Sequence, residues 1–370
     1  MVFGSAMIKD TAQKQKAIRY CVAMGYVPHM EVVVRHTADV SETSADISDI
    51  DVFGVKAAGE FPARRIVFDC KTQNKISAIS RALWAAGLKQ LVGADEAFVI
   101  LTKAAPEGHR LAASDVDVRL FSEQLFDQHG KSSSTNYLEG ITYLDDASAW
   151  EEVFAIGAKF KGLESLVTYL TCDAPLERNA AVGFRSLLGK VKQASGELDV
   201  GKPSHRTLYG LLVAQSILFL SAMTRDFHAV FDPATSRDRF EIALRNFVWG
   251  GRDGYELRQR LHLALANARG EDDQGQFQLP NWDKLVELVR GLLDAPFLAG
   301  SGALAVKDLA FRELVPQREL AEQRIASEFA ANNRARQYAM QINRYLGSLS
   351  RFLRDFSDHY NTVLGSVPSS

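Results

Sequence analysis

The stretch Ile47–Gln73, ISDIDVFGVKAAGEFPARRIVFDCKTQ, decides how the first third of this chain folds. Two apolar, β-branched runs, Ile50–Val55 and Arg65–Cys70, lie on either side of the turn-prone AAGEFPA segment, which predicts a pair of strands folded into a hairpin. Asp51 falls at the start of the first strand, and Asp69-Cys70-Lys71 closes the second. Successive side chains in a strand alternate between faces, so Asp69 and Lys71 project together while Cys70 points into the opposite layer. Pairing of the two strands would bring the Asp51 carboxylate beside that of Asp69.

Outward from the hairpin, the pattern is that of a layered α/β unit. Thr11–Met24 places Ala17, Ile18, Cys21 and Val22 on one helical face and stops at Gly25. Tyr26–Val34 reads as a strand. Ile76–Val92 is an amphipathic helix with Ile76, Ile79, Leu83, Ala86 and Gln90 three or four apart. Ala97–Leu101 is a continuous apolar run of the kind buried in the middle of a sheet, and Val118–Phe121 adds a further strand. The order predicts a sheet covered by helices, with Ile76–Val92 as a right-handed β-α-β crossover. From about Glu151 the strand signal fades into long helical stretches, interrupted at Gly250–Gly251, Gly270–Gly275 and Gly300–Gly302 and ending with one from Gln317 to Phe356. The expected organisation is an α/β domain over 1–150 followed by a mainly α-helical domain over 151–370.

Composition bounds the function. With 46% hydrophobic and 24% charged residues, the chain is neither disordered nor a fibrous rod. Lys and Arg number 43 against 45 Asp and Glu, so any basic surface must be local. Residues 1–150 hold 16 basic and 19 acidic residues, and the remainder 27 and 26. Three cysteines without a CxxC pair argue against a disulfide framework or a structural zinc site and suggest a reducing cytoplasm. No secretory signal is visible. The apolar Leu208–Met223 segment is shorter than the roughly 20 residues of a membrane span and reads as a buried helix.

Two carboxylates at close range want a cation between them, and oxygen-only ligands suit Mg²⁺. A metal there would polarise a phosphoryl oxygen and lower the pKa of a bound water, while Lys71 could orient that water or neutralise charge building on the phosphate. Asp69-Cys70-Lys71 is the one acid-x-Lys triplet in the sequence. Glu31, opening the first strand, is a candidate third carboxylate, and Gln73 continues the alternation of Asp69 and Lys71 toward the site. Asp49 is an alternate ligand to Asp51. Lys75, Ser77 and Arg81, at the start of the following helix, read as phosphate contacts or as plain capping and solubility residues.

These residues resemble the PD-(D/E)XK nuclease superfamily, in the branch of type IV restriction enzymes and archaeal Holliday-junction resolvases. The matching pieces are helix Thr11–Met24, strand Tyr26–Val34, Asp51 in SDIDVFG, Asp69-Cys70-Lys71 in VFDCK, helix Ile76–Val92 and strand Ala97–Leu101, with Asp in place of the commoner Glu at 69. The resemblance spans roughly residues 8–125 and none of the helical remainder. It implies a restriction-endonuclease-like mixed sheet and a Mg²⁺- or Mn²⁺-dependent deoxyribonuclease, with Asp51, Asp69 and Glu31 as metal ligands and Lys71 and Gln73 completing the site. By analogy it suggests a bacterial anti-phage or restriction effector acting on DNA, with a partner protein or a second copy supplying part of the grip and no membrane involved. Two alternatives stand beside it: a non-enzymatic assembly subunit on an inactive nuclease-like fold, and an RNA-cleaving nuclease using the same residues.

Other signals carry less chemistry. GGRDG at Gly250–Gly254 lacks the Lys-Ser/Thr of a phosphate loop and is a turn. The histidines at 205, 228, 262 and 359 have no partner at a catalytic spacing. Arg324, Arg334, Arg336, Arg344, Arg351 and Arg354 form a stripe on the last helical stretch, either a solvated face or a track for a phosphate backbone.

Overall fold

The computed structural model describes residues 8–37, 44–57, 62–72, 77–232, 234–270 and 275–368. The chain opens with α1 (Thr11–Ala23), then β1 (Val27–Thr37), β2 (Ser44–Lys56), β3 (Arg64–Lys71), α2 (Ala78–Val92), β4 (Glu96–Leu101), α3 (Glu107–Ser114), β5 (Val118–Ser122) and α4 (Glu123–Ser133). The strands form one sheet in the order β1-β2-β3-β4-β5. Its first two pairings are antiparallel and its last two parallel. This is the expected mixed sheet with helices on both faces. The parallel pairs are joined through α2 and α3, and the EAFVIL run of β4 is buried because strands flank it on both sides.

Each face of the sheet has its own apolar layer. Val67, Val99, Val118 and Leu120 pack with Ala82, Ala85 and Leu88 of α2. On the other face Phe68, Phe98 and Cys70 pack with Ile18, Tyr20 and Cys21 of α1 and Phe126 of α4. The Phe68 and Phe98 rings stack at 5.2 Å, across the parallel β3–β4 ladder. The stripe Ala17, Ile18, Cys21 is why α1 is a helix, and Gly25, at φ 76, ends the turn after it in a left-handed conformation that side chains with a Cβ avoid.

The second apolar layer runs on without a break into the helical part. This comprises α5 (Ala147–Lys159), α6 (Glu164–Thr168), the single turn α7 (Ala174–Leu176), α8 (Ala180–Ala194), α9 (Pro203–Val230), α10 (Arg237–Val248), α11 (Arg252–Ala268), α12 (Trp282–Leu293), α13 (Ala303–Phe311), α14 (Glu319–Ala331), α15 (Asn333–Gly347) and α16 (Arg351–Ser366). Among the described residues α9 is the one helix long and apolar enough to cross a membrane, and it is buried within the bundle as its axis.

Two expectations about elements are corrected. The stretch from Gln317 to Phe356 is three helices rather than one, because two side chains end it: Asn332 accepts from the Ala335 N–H and Ser350 from the Leu353 N–H, each starting a new helix. Asp51 is not at a strand start. β2 is 13 residues long and runs from Ser44, so Asp51 lies in its interior. Its first half is polar and reads as loop, yet it becomes strand by pairing with β1.

Candidate functional site

β2 and β3 pair from Val52↔Phe68 to Lys56↔Arg64 and then part. Asp51 and Asp69 are the next residues on each strand, so the two carboxylates stand at the fork where the ladder opens. Both side chains are buried, at 5% and 2% exposure. The Asp51 carboxylate takes the place of the missing strand partner: its Oδ2 accepts the backbone N–H of Cys70 at 2.7 Å. Lys71 reaches back between the two acids, its Nζ 3.2 Å from Asp51 Oδ2 and 3.5 Å from Asp69 Oδ1.

Glu31 lies across the β1–β2 ladder from Asp51, between the pairs Met30↔Val52 and Val32↔Ile50. Its backbone is left-handed, at φ 54, unusual for a residue with a side chain. Face alternation breaks at the same level on both strands, since Met30 and Val52 pack on the α1 side while Val32 and Ile50 pack on the α2 side. That local twist turns the Glu31 carboxylate toward Asp51. Lys14 of α1 lies in the gap: its buried ammonium pairs with Glu31 and sits 2.9 Å from Asp51 Oδ1. On the opposite flank, Arg81 of α2 clasps both oxygens of Asp69, with Nε 2.8 Å from Oδ2, and its guanidinium stacks 4.0 Å above the Trp84 ring.

The cluster thus holds three acids, Glu31, Asp51 and Asp69, interleaved with three cations, Lys14, Lys71 and Arg81. Burial pushes the Asp69 pKa up, opposed by Arg81 and Lys71, and pushes that of Glu31 up against the pull of Lys14. Burial would lower the two lysines, but the carboxylates prevail: Asp51 and Glu31 raise Lys14, and Asp51 and Asp69 raise Lys71, so both amines stay protonated.

The expected convergence of Asp51, Asp69, Lys71 and Glu31 is therefore present, with Lys71 itself standing between the acids. Gln73 and Lys75 lie outside the described residues. Asp49 is exposed and contributes at a distance, its charge adding to the upward push on Glu31. Arg81 is not a solvated helix-start residue: it pairs with the buried Asp69 carboxylate. Arg324, placed on the helical stripe, is likewise buried, in an ion pair with Asp308.

No protein-family model matches this chain, and no curated protein or solved structure matches it either.

Two residues of α1 that the strand pattern does not point to belong to the cluster. Lys14 is one, and Gln13, whose Nε2 donates to the Lys71 carbonyl at 3.2 Å and to Glu123 Oε1 at 3.0 Å, is the other. A signal for Lys14 was present: it sits three, four and seven residues before Ala17, Ile18 and Cys21, on the stripe that must be buried. A lysine there needs an acid partner. The far end of the cluster is tied down by Asp10, which accepts from the Thr72 N–H at 3.1 Å.

Among the described residues no group of three His, Cys, Asp or Glu side chains is arranged to hold a metal ion. The oxygens of Asp51 and Asp69 are of the type a hard divalent cation takes, and each is engaged by Lys14, Lys71, Arg81 or the Cys70 N–H.

Proposed function

We propose that this chain is a metal-dependent nuclease that hydrolyses DNA phosphodiester bonds on a restriction-endonuclease-like sheet similar to the PD-(D/E)XK superfamily. The observation that supports it is Lys71 Nζ between the Asp51 and Asp69 carboxylates at the β2–β3 fork. Asp51 and Asp69, joined by Glu31, would hold Mg²⁺ or Mn²⁺. When bound, such an ion polarises a phosphoryl oxygen and lowers the pKa of a coordinated water. Lys71 is the least buried of these groups' cations, at 23% side-chain exposure against 16% for Arg81 and 3% for Lys14. Held protonated by its two acids, it donates to a phosphate oxygen and stabilises charge as it develops. Lys14 and Arg81 pair with Asp51 and Asp69 themselves, and Arg81 would have to yield Asp69 oxygens to the ion.

The test is incubation of the purified protein with plasmid, single-stranded DNA and labelled RNA, in Mg²⁺, Mn²⁺ or EDTA. DNA cleavage that needs metal and falls on the order of a hundredfold or more in both Asp69→Ala and Lys71→Ala supports the reading. Cleavage that survives either substitution sinks it, and cleavage confined to RNA reassigns the substrate.

One observation favours a second reading, an assembly subunit with an inactive nuclease-like fold. Every acid of the cluster already has a protein cation, which leaves the site electrically complete without a metal. Wild type that cleaves nothing and whose melting temperature ignores Mg²⁺ would support this reading.

A further inference from the structure

A basic recess lies in the helical part, where α12 meets the α15–α16 corner. The cleft has a volume of about 430 Å³ and is open to solvent. Lys284 of α12, Arg344 from the last turn of α15, and Arg351 and Arg354 from the first turn of α16 line it, with Asp358 as the single acid. All four cations are exposed, and among the described residues none of them is in an ion pair. The more buried Arg206, Arg312, Arg318 and Arg324 of the same helical part all have carboxylate partners, so these four cations are left facing the cleft and solvent.

The placement of Arg351 and Arg354 is also electrostatically unfavourable for folding. The first turn of a helix carries the positive end of its dipole and favours acids, and α16 has none there. Two arginines at that position oppose the dipole. An anion in the cleft removes the conflict, because it meets four cations from three helices and the dipole together.

We infer that this cleft binds the phosphate groups of a polyanion, either a nucleic-acid backbone or a free polyphosphate. Its volume of about 430 Å³ exceeds what one phosphate fills, and its four cations come from three helices rather than from one point. For a nucleic acid it would supply the grip that the sheet half, with 16 bases against 19 acids, lacks. In that form the inference deepens the nuclease reading, but it is measured apart from cleavage.

The experiment is fluorescence anisotropy of a labelled oligothymidylate and calorimetric titration of tripolyphosphate, both in EDTA so that no cleavage contributes. They are run on wild type, Arg351→Gln/Arg354→Gln and Lys284→Gln/Arg344→Gln, each checked for an unchanged circular dichroism spectrum. Wild type binds at least one of the two probes, and each double variant weakens that binding at least roughly tenfold and lowers the logarithmic salt slope for the oligonucleotide by about 1.4. Binding of tripolyphosphate alone assigns a free polyphosphate, and binding of the oligonucleotide assigns a backbone. If wild type binds neither probe at about 50 mM salt, or both double variants bind as tightly as wild type, the inference is overturned. Wild type that binds a probe yet cleaves nothing when Mg²⁺ or Mn²⁺ is supplied would count against the nuclease reading only.

Discussion

The Asp51 carboxylate accepts the Cys70 backbone N–H at 2.7 Å, so one acid both closes an open ladder and faces the candidate site. Structure and chemistry can therefore be separated at this residue. Asp51→Asn keeps an acceptor for the Cys70 N–H, whereas Asp51→Ala leaves that buried donor and the Lys14 ammonium without it. The alanine variant should lose about 3 kcal/mol in urea unfolding, the range for stranding a buried charge. The asparagine variant should lose less than half of that while abolishing metal-dependent cleavage. Equal stability losses for the two would show that the hydrogen bond contributes nothing.

Arg81 occupies the oxygens of Asp69 that a metal would need. Arg81→Gln removes that competitor and leaves the cluster with one uncompensated negative charge. The variant should be less stable than wild type in EDTA, and Mg²⁺ should raise its melting temperature more than it raises that of wild type. At a hundred times the dissociation constant, binding to the native state alone adds about 2.7 kcal/mol. Identical responses to Mg²⁺ in the two proteins would argue that Asp69 is not a ligand.

A second buried network joins the segment ahead of α5 to the helical part. Asp308 of α13, fully buried, accepts from the Thr142 hydroxyl at 2.9 Å and the Tyr143 N–H at 2.7 Å, and pairs with the buried Arg324 of α14. Arg324 Nε in turn donates to the Ile141 carbonyl at 3.0 Å. Removing one partner of a buried pair strands the other, so Asp308→Ala should cost roughly 3–5 kcal/mol. Limited proteolysis should then cut first around residues 138–146. A loss below about 1 kcal/mol would mean that Glu328, the other carboxylate on Arg324, is sufficient by itself.

Lys307 makes the pH dependence of stability predictable. It is buried, with its Nζ 2.6 Å from the Pro28 carbonyl, 3.0 Å from His29 Nδ1 and 5.3 Å from the Trp150 ring; no carboxylate pairs with it among the described residues. Burial holds its pKa well below the usual lysine range and also depresses that of His29 beside it. The unfolded chain takes up this proton below about pH 10.4, whereas the folded protein does not until much lower pH. Within that window the unfolded state binds more protons, so stability falls as pH falls. Lys307→Met keeps the volume and removes the proton. Its melting temperature relative to wild type should rise steadily between about pH 9 and about pH 6. A pH-independent difference would show that Lys307 is charged in the fold.

Much of the candidate site was legible in the residues because it depends on local pattern. β3 is short and apolar, so the alternation that sets Asp69 and Lys71 on one face and Cys70 on the other is a property of eight consecutive residues. The apolar run of β4 and the stripe of α1 were readable for the same reason. What failed was of another kind. The polar half of β2 is strand only because β1 lies beside it, so Asp51 was misplaced within its element. The final helices were joined into one because apolar periodicity continues across Asn332 and Ser350, whose capping bonds override it.

The sequence by itself determined which strands bring Asp69 and Lys71 onto one face beside Asp51, since side-chain alternation and burial of apolar runs are short-range rules. Only the tertiary structure decided what surrounds the acids. Lys14 and Arg81 come from helices on opposite faces of the sheet, and they reach Asp51 and Asp69 because β2 and β3 diverge there. A buried carboxylate takes the nearest cation that packing delivers, and packing is settled by the whole fold rather than by its neighbours in the chain.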